Sequence, residues 1–495
     1  MNHNFPLIDS RTGQETSLSQ GIISSQPISW WLWSPQNFPI FSDEEIIVMA
    51  SMNYQWLAQT ILGRFDFWVT PEELNKIIDE AYWDQWHNED ITPVKKIGDT
   101  NLHSLHLGYG PTFAFKNVAL EFLPRLLSRL VTDRTLHVLG ASSGDTINAA
   151  HSWVKGTNIN SMFMLPNLGP SYIQALQAKN GISQNPNALT LLADMPFDPL
   201  QDIVKKINGP EFHDFKNENG ITSFNSINIA RILAQVVYYF RAYSQLLARW
   251  DIQNGDEIIY SVPSGNFGDA LAGYYAKKMG LPIKKIHIAT NENDMLRKFI
   301  ITWVYEPPKN EKWEDKVDVT NAPSMDIAKS SNFERMLFDI TGWDYERVNR
   351  WYYDLKTKWK FQVDDETLRK IKEIFSSSSS TNQERLDTIK YMSEKYNHGI
   401  DPHTAAGVYP SLILGEQTDE PVIFLETSHV AQFGKELQSK WLIVPGMNEF
   451  NETIKAMESN TPIEGRDFIR ITGNFDEAFT QVQRAIAEIF PNKHS

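Results

Sequence analysis

The sequence predicts an α/β fold, with mainly parallel sheets covered by helices on both faces and a mostly helical unit in front of them. Two observations carry this. From Leu102 onward, short apolar runs alternate with amphipathic helices, the pattern of strand–helix–strand units. Before that, residues 1–98 show helical apolar spacing and helix-start signals without such alternation. The expected division is therefore 1–98 as an N-terminal mostly helical domain and 99–495 as an α/β region.

Composition narrows the function classes. With 41% hydrophobic and 22% charged residues the 495-residue chain has a soluble globular balance. A net charge of −15 argues against general affinity for nucleic acid or an anionic membrane. The absence of cysteine removes disulfides, thiolate metal sites, iron–sulfur clusters and cysteine nucleophiles, and is compatible with a cytoplasmic location. The start MNHNFPLIDSRTGQ has no signal-peptide pattern, and no uncharged apolar run approaches membrane-spanning length. No HExxH or similar ligand spacing appears among the histidines, so no metal site is expected.

Taken in order, ISWWLWSPQNFP clusters Trp30, Trp31 and Trp33, a core or interface feature. Ser42 with Glu45, and Thr70 with Pro71 and Glu73, read as capping boxes opening helices. RTLHVLGASSGDTINAAHSWV reads as strand, tight loop and helix. NSMFMLPN and NALTLLAD are strands, and PLQDIVKKI is a helix. NSINIARILAQVVYYFRAYSQLLARW, from Asn225, is apolar nearly all round and should be a buried helix. DEIIYSVPSGNFGDALAGYYAKKMG repeats strand, glycine loop and helix, and PIKKIHIAT is a further strand. The serine run Ser376–Ser380 reads as a low-complexity polar loop. PVIFLETSHVAQFGKEL is one more strand, loop and helix, and the segment from Asp467 forms a terminal βα piece.

Three loops carry candidate chemistry. In LHLGYGPTFAFKNVALEFLPRLL, Gly108, Gly110 and Pro111 break the backbone before an apolar helix face running through Phe115, Ala119, Phe122 and Leu126. Lys116 among these aromatics is either a side chain that snorkels to solvent or a desolvated amine ready to condense with a carbonyl. Gly140–Thr146, GASSGDT, lies between strand and helix, where backbone amides attract a carboxylate or phosphate. A simple capping turn is the alternative there. Pro263–Asp269, PSGNFGD, has two glycines that let backbone approach a ligand closely. Neither loop is a Walker motif or a GxGxxG, and no GxSxG elbow is present.

The ordered set GPTFAFKN, LGASSGDT, FNSINIARILAQVVYYF, SVPSGNFGDALAGYYAKKMGLPI, ATNENDML, SMDIAKSSNFERML, DPHTAAG and LETSHVAQF resembles the threonine synthases of the longer bacterial and fungal type. The resemblance runs from about residue 5 to the C-terminus. It implies a fold type II pyridoxal-phosphate enzyme, similar to the tryptophan synthase β-subunit, with the active site between two α/β subdomains. It implies that Lys116 binds the cofactor covalently and that Gly265, Asn266, Phe267, Gly268 and Asp269 cradle its phosphate. Thr427 would lie beside the pyridine nitrogen. Ser143, Gly144, Asp145 and Thr146 would hold the substrate carboxylate. Arg231, Lys329 and Arg335 are the candidate cations for a departing phosphate. The implied reaction converts O-phospho-L-homoserine and water to L-threonine and phosphate, in a monomer or small homo-oligomer acting on a small amino acid.

Several residues depart from the family pattern. Asn117 replaces an aspartate, Ile147 a glycine, Ser142 a threonine, and Val430 and Gln432 a proline and a lysine. Leu165–Ser171, including Leu168, lacks the basic residues of the corresponding family segment. Losing positive charge matters because a phosphate dianion is held by charge-assisted bonds. Ile147 would be strained if the glycine's conformation were required. The alternatives are thus a diverged relative that eliminates or replaces a group on another phosphorylated or acylated amino acid, and a non-catalytic binding protein.

Overall fold

The computed structural model describes residues 5–29, 31–142, 144–154, 157–167, 170–310, 315–460 and 468–489. Two parallel sheets form its frame. The larger has six strands in the order Phe375–Ser379, Ile283–Thr290, Ile258–Pro263, Val422–Glu426, Leu102–His106 and Val94–Lys96, with only the last pair antiparallel. The smaller has five, Ile469–Ile471, Ala188–Ala193, Ile159–Pro166, Leu136–Ala141 and Ile221–Thr222, all parallel. After the N-terminal region the chain enters the six-stranded sheet, builds four strands of the other, returns, and crosses back at its end. Loops at the carboxyl ends of both sheets therefore face one another, where open α/β sheets bind ligands.

The central strands are buried along their whole length, as parallel strands covered on both faces must be. The helix Ile229–Ala248 is buried along nearly its full length, as its all-round apolar pattern requires. Asn228 caps it by accepting from the Ala230 amide at 3.1 Å. The N-terminal region adds a three-stranded antiparallel sheet of Glu15–Ser17, Pro6–Asp9 and Trp33–Pro35 to its helices. Both capping boxes form, at Ser42 with Glu45 and at Thr70 with Glu73. The helical run after Ser42 breaks into Asp43–Met49 and Tyr54–Leu62, because Asn53 restarts it by accepting from the Trp56 amide at 2.9 Å.

The serine run is a strand and not a loop. Ser376–Ser379 pairs in parallel with His287–Thr290 at the sheet edge. The Ser376 and Ser378 hydroxyls meet the two ring nitrogens of His287 at 2.9 and 2.8 Å. Main-chain pairing with a buried neighbour decides the conformation there, and composition does not report it.

Six tryptophans, Trp68, Trp250, Trp303, Trp343, Trp359 and Trp441, lie at φ between +59° and +69°. Trp303 and Trp359 end helices in this left-handed conformation. Glycine enters it freely, whereas a bulky side chain pays in steric strain. Trp250 and Trp441 are 90% and 95% exposed, so burial does not compensate them.

Candidate active site

The turn before Lys116 is folded tightly onto the loop that follows Val422–Glu426. A Cβ on Gly108 would stand 2.4 Å from the His429 nitrogen, and one on Gly110 2.5 Å from Cβ of Asn117. The His429 amide donates to the Phe113 carbonyl at 2.8 Å and the Phe115 amide to that of Thr427 at 2.9 Å, around an antiparallel bridge between Ala114 and Ser428. Lys116 thus opens the helix Lys116–Leu130 and does not sit within an apolar face. Its half-buried side chain, with Nζ 5.4 Å from the centre of the Phe115 ring, lines a cavity of about 990 Å³ between the two sheets. Thr427, Ser142, Thr146, Arg231 and Gly265–Asp269 line the same cavity.

Gly265–Asp269 joins the strand Ile258–Pro263 to the helix Gly268–Lys278. Phe267 adopts φ +62°, its ring anchored against Phe333 and Phe375. A Cβ on Gly265 would lie 2.9 Å from Ile327 Cγ1 and 3.2 Å from Met325 Cα. No side chain caps the helix, which leaves its first amides open, and the residues that carry them line the cavity, an arrangement suited to an anion. Asp269 Oδ1 accepts from the hydroxyls of Tyr238 and Tyr239 at 2.5 and 2.7 Å, while its buried Oδ2 has no partner among the described residues. Burial pushes that carboxyl up to about 6 against these two donors.

In the facing loop, Ser143 lies outside the described residues. Ser142 Oγ accepts from the amides of Gly144 and Ile147 at 3.0 and 3.3 Å, holding the start of the helix Asp145–Trp153. Gly144 has φ +142°, and a Cβ there would meet Gln174 Cδ at 2.7 Å. Thr146 lines the cavity. Ile147 is a buried helical residue with no positive φ, so glycine's conformation is not needed at that position.

The three candidate cations separate. Arg231 is buried on the cavity wall, with Nη1 donating to the Phe224 carbonyl at 2.9 Å and Nε without a partner among the described residues. Burial lowers its pKa to about 10, which leaves it charged at neutral pH. Arg335 is not at the cavity. It is fully buried and donates to the carbonyls of Trp33 and Ile227 and to Asn332 Oδ1, joining the N-terminal sheet to the core. Lys329 is paired with Asp315 at 2.8 Å and lies 4.3 Å from the Trp359 ring. Sequence alone does not say which way a buried guanidinium faces.

The departures find local accounts. Asn117 Oδ1 accepts from the Thr112 amide and hydroxyl at 3.1 and 2.7 Å, while its Nδ2 faces Glu121 Oε1 at 3.4 Å. An aspartate would place a second carboxylate against Glu121, whose burial already pushes it up to about 7. Val430 and Gln432 lie buried in the short 3₁₀ turn Val430–Phe433, outside the cavity lining. Leu168 lies outside the described residues.

His403 and Gln235 are among the cavity residues that the sequence alone does not assign to the site. His403 accepts the Ser324 amide on Nε2 at 3.0 Å and faces Asp401 Oδ2 through Nδ1 at 2.7 Å, so Nδ1 carries the proton. Its signal was the Asp–Pro–His spacing at a helix start. Gln235 is one turn after Arg231, on the same wall, with Oε1 lacking a donor among the described residues.

An amine, a glycine-built amide cradle with an uncapped helix start, and the Thr427 hydroxyl around one cavity fit a phosphorylated aldehyde cofactor. Among the described residues no His/Asp/Glu group could hold a metal ion, and no helix is long and apolar enough to cross a membrane.

No family model matches the chain. Individual proteins do. Threonine synthase of Methylobacillus glycogenes is 38% identical over 415 residues, covering 81% of this chain and 84% of the relative. That of Saccharomyces cerevisiae is 36% identical over 458 residues, covering 84% and 85%. The crystal structure of a pyridoxal-phosphate-bound threonine synthase from Brucella melitensis superposes with a TM-score of 0.85 at 29% identity, over 98% of this chain and all of that one. With this identity sustained over more than four fifths of both chains, and with the same fold, the protein belongs to the threonine synthase family.

Proposed function

We propose that the chain is a pyridoxal-phosphate-dependent lyase that converts O-phospho-L-homoserine and water to L-threonine and phosphate. The observation that carries this is the convergence of Lys116, the Gly265–Asp269 amides and Thr427 on one cavity. Lys116 would hold the cofactor, the amides of Gly265–Gly268 its phosphate, and Thr427 its ring nitrogen. When bound, the cofactor supplies an electron sink for negative charge at the substrate α-carbon.

The chain's own residues do the rest. Thr146 and the amides from Gly144 orient the substrate carboxylate, together with Ser143 and Asp145. The Lys116 amine takes the substrate α-proton and serves as the nearby base and acid for proton movement at the neighbouring carbons. Arg231 offers its unpaired Nε–H and its charge to the departing phosphate. The neutral hydroxyl of Thr427 would leave the ring nitrogen of a bound cofactor less protonated than a carboxylate there would. The acidic, cysteine-free chain supports a cytoplasmic setting, and a monomer or small homo-oligomer suffices for a cavity built within one chain.

The test has two parts. Borohydride reduction of cofactor-loaded protein followed by peptide mass spectrometry should find a pyridoxyl group on Lys116. Incubation with O-phospho-L-homoserine should release phosphate and threonine in equal amounts, and Lys116→Ala should release neither. An unmodified Lys116 would reject the cofactor assignment. A labelled enzyme with no product would reject the substrate in favour of another phosphorylated or acylated amino acid.

A further inference from the structure

The segments carrying Lys116 and Thr427 leave the six-stranded sheet from adjacent strands, Leu102–His106 and Val422–Glu426, whose last residues His106 and Glu426 are register partners. Glu426 is buried, with Oε1 2.7 Å from His398 Nε2 and Oε2 3.4 Å from His106 Nε2. The His106 ring stacks on Tyr109 at 4.1 Å, within the turn that delivers Lys116. It also lies 5.2 Å from the ring of His429, whose Nδ1 accepts the Ala431 amide and whose Nε2 therefore donates to Glu449 at 3.1 Å. His398 begins the loop that leads to Asp401 and the cavity residue His403. One carboxylate thus bears on three segments, and each of them places a side chain in the cavity.

Burial works against ionisation of Glu426, but His398 and His106 outweigh it and bring the carboxyl down to about 2. Burial holds His106 down at about 4 and Tyr109 up at about 12. His87, His429 and Glu449 are the other titratable groups facing the cluster. A buried ionised carboxylate is tolerated only where donors enclose it, and removing one partner leaves the rest uncompensated.

We propose that Glu426 is a positioning residue: with His106 and His398 it sets Thr427 and the Lys116 turn relative to one another, and so governs how the cofactor sits without touching it. This rests on the cofactor reading given above.

The test uses the cofactor-loaded enzyme in a double-mutant cycle of Glu426→Gln and Thr427→Val, read by visible absorption and circular dichroism of the bound cofactor and by kcat and KM. Glu426→Gln should keep the borohydride label on Lys116, shift the visible band in the same direction as Thr427→Val, and lower kcat about tenfold with KM little changed. The double variant should shift no further than Thr427→Val alone. A Glu426→Gln spectrum identical to wild type while Thr427→Val shifts it, or two shifts that simply add, would overturn the proposal. Should Glu426→Gln fail to fold, His398→Gln takes its place and is read in the same way. A wild-type protein with no label on Lys116 overturns the cofactor reading, and this proposal falls with it. A labelled wild type with an unresponsive band overturns this proposal alone.

Discussion

The amide of Phe115 donates to the carbonyl of Thr427 at 2.9 Å, tying the residue before the lysine directly to the threonine across the cavity wall. Phe115 has φ −55°, which proline adopts without strain, and Ala114 before it is already in an extended bridge. Phe115→Pro therefore removes the donor and the ring, and Phe115→Ala the ring alone. The proline variant should be less stable than the alanine variant by about 1 kcal/mol and several-fold less active. Urea unfolding and turnover of the two variants check this.

Gly265→Ala places a methyl 2.9 Å from Ile327 and 3.2 Å from the Met325 backbone. Backbone cannot swing aside as a side chain does, so the cradle must open. Cofactor affinity, followed by equilibrium dialysis, should fall by about tenfold or more while the unfolding midpoint of the apo-protein changes much less. The double variant Gly265→Ala, Ile327→Ala should recover only part of the affinity.

Arg231 and Arg335 should fail in opposite ways. Arg335→Met strands buried carbonyls of Trp33 and Ile227 and should cost about 3 kcal/mol or more of stability. Arg231→Lys keeps a charge on the cavity wall but loses the Nε–H, and should leave the protein folded with kcat/KM reduced about tenfold or more. Chemical denaturation and steady-state kinetics on both variants separate the two roles.

Acid should weaken the fold through buried neutral histidines. Burial lowers His151 to about 3, with Ser161 and Thr190 hydroxyls on its two nitrogens at 2.7 and 2.9 Å. A folded pKa below the unfolded one means the unfolded chain binds more protons, so stability is full above about 6.5 and falls as pH drops toward 3. His106, His137 and His287, each lowered by burial to about 4, act in the same direction. Glu121 and Asp269, raised to about 7 and about 6, act against them over part of the range. His151→Gln should flatten the rise of unfolding free energy with pH by about 1.4 kcal/mol per unit between pH 5 and 6. Urea midpoints at a series of pH values measure that slope.

What was legible in the sequence was local. The capping boxes at Ser42 and Thr70 need only residues three apart, and the strand–loop–helix units around Ser142 and Gly265 need only a change of period. The serine strand was not legible, since its conformation comes from pairing with Ile283–Thr290, almost a hundred positions away in the chain. The direction of buried charge was not legible either. Arg231 and Arg335 have the same chemistry in similar helices, and only tertiary packing turns one toward the cavity and the other toward the N-terminal sheet. Lys116 stood out in composition, yet its place at the first position of a helix depends on Ser428 and Thr427, far along the chain.

The six tryptophans at positive φ leave stability unused in the backbone. Each occupies a turn that glycine would fill without strain. In recombinant protein, Trp250→Gly and Trp441→Gly should each raise stability by about 1 kcal/mol, because these exposed rings bury almost nothing to offset their backbone strain.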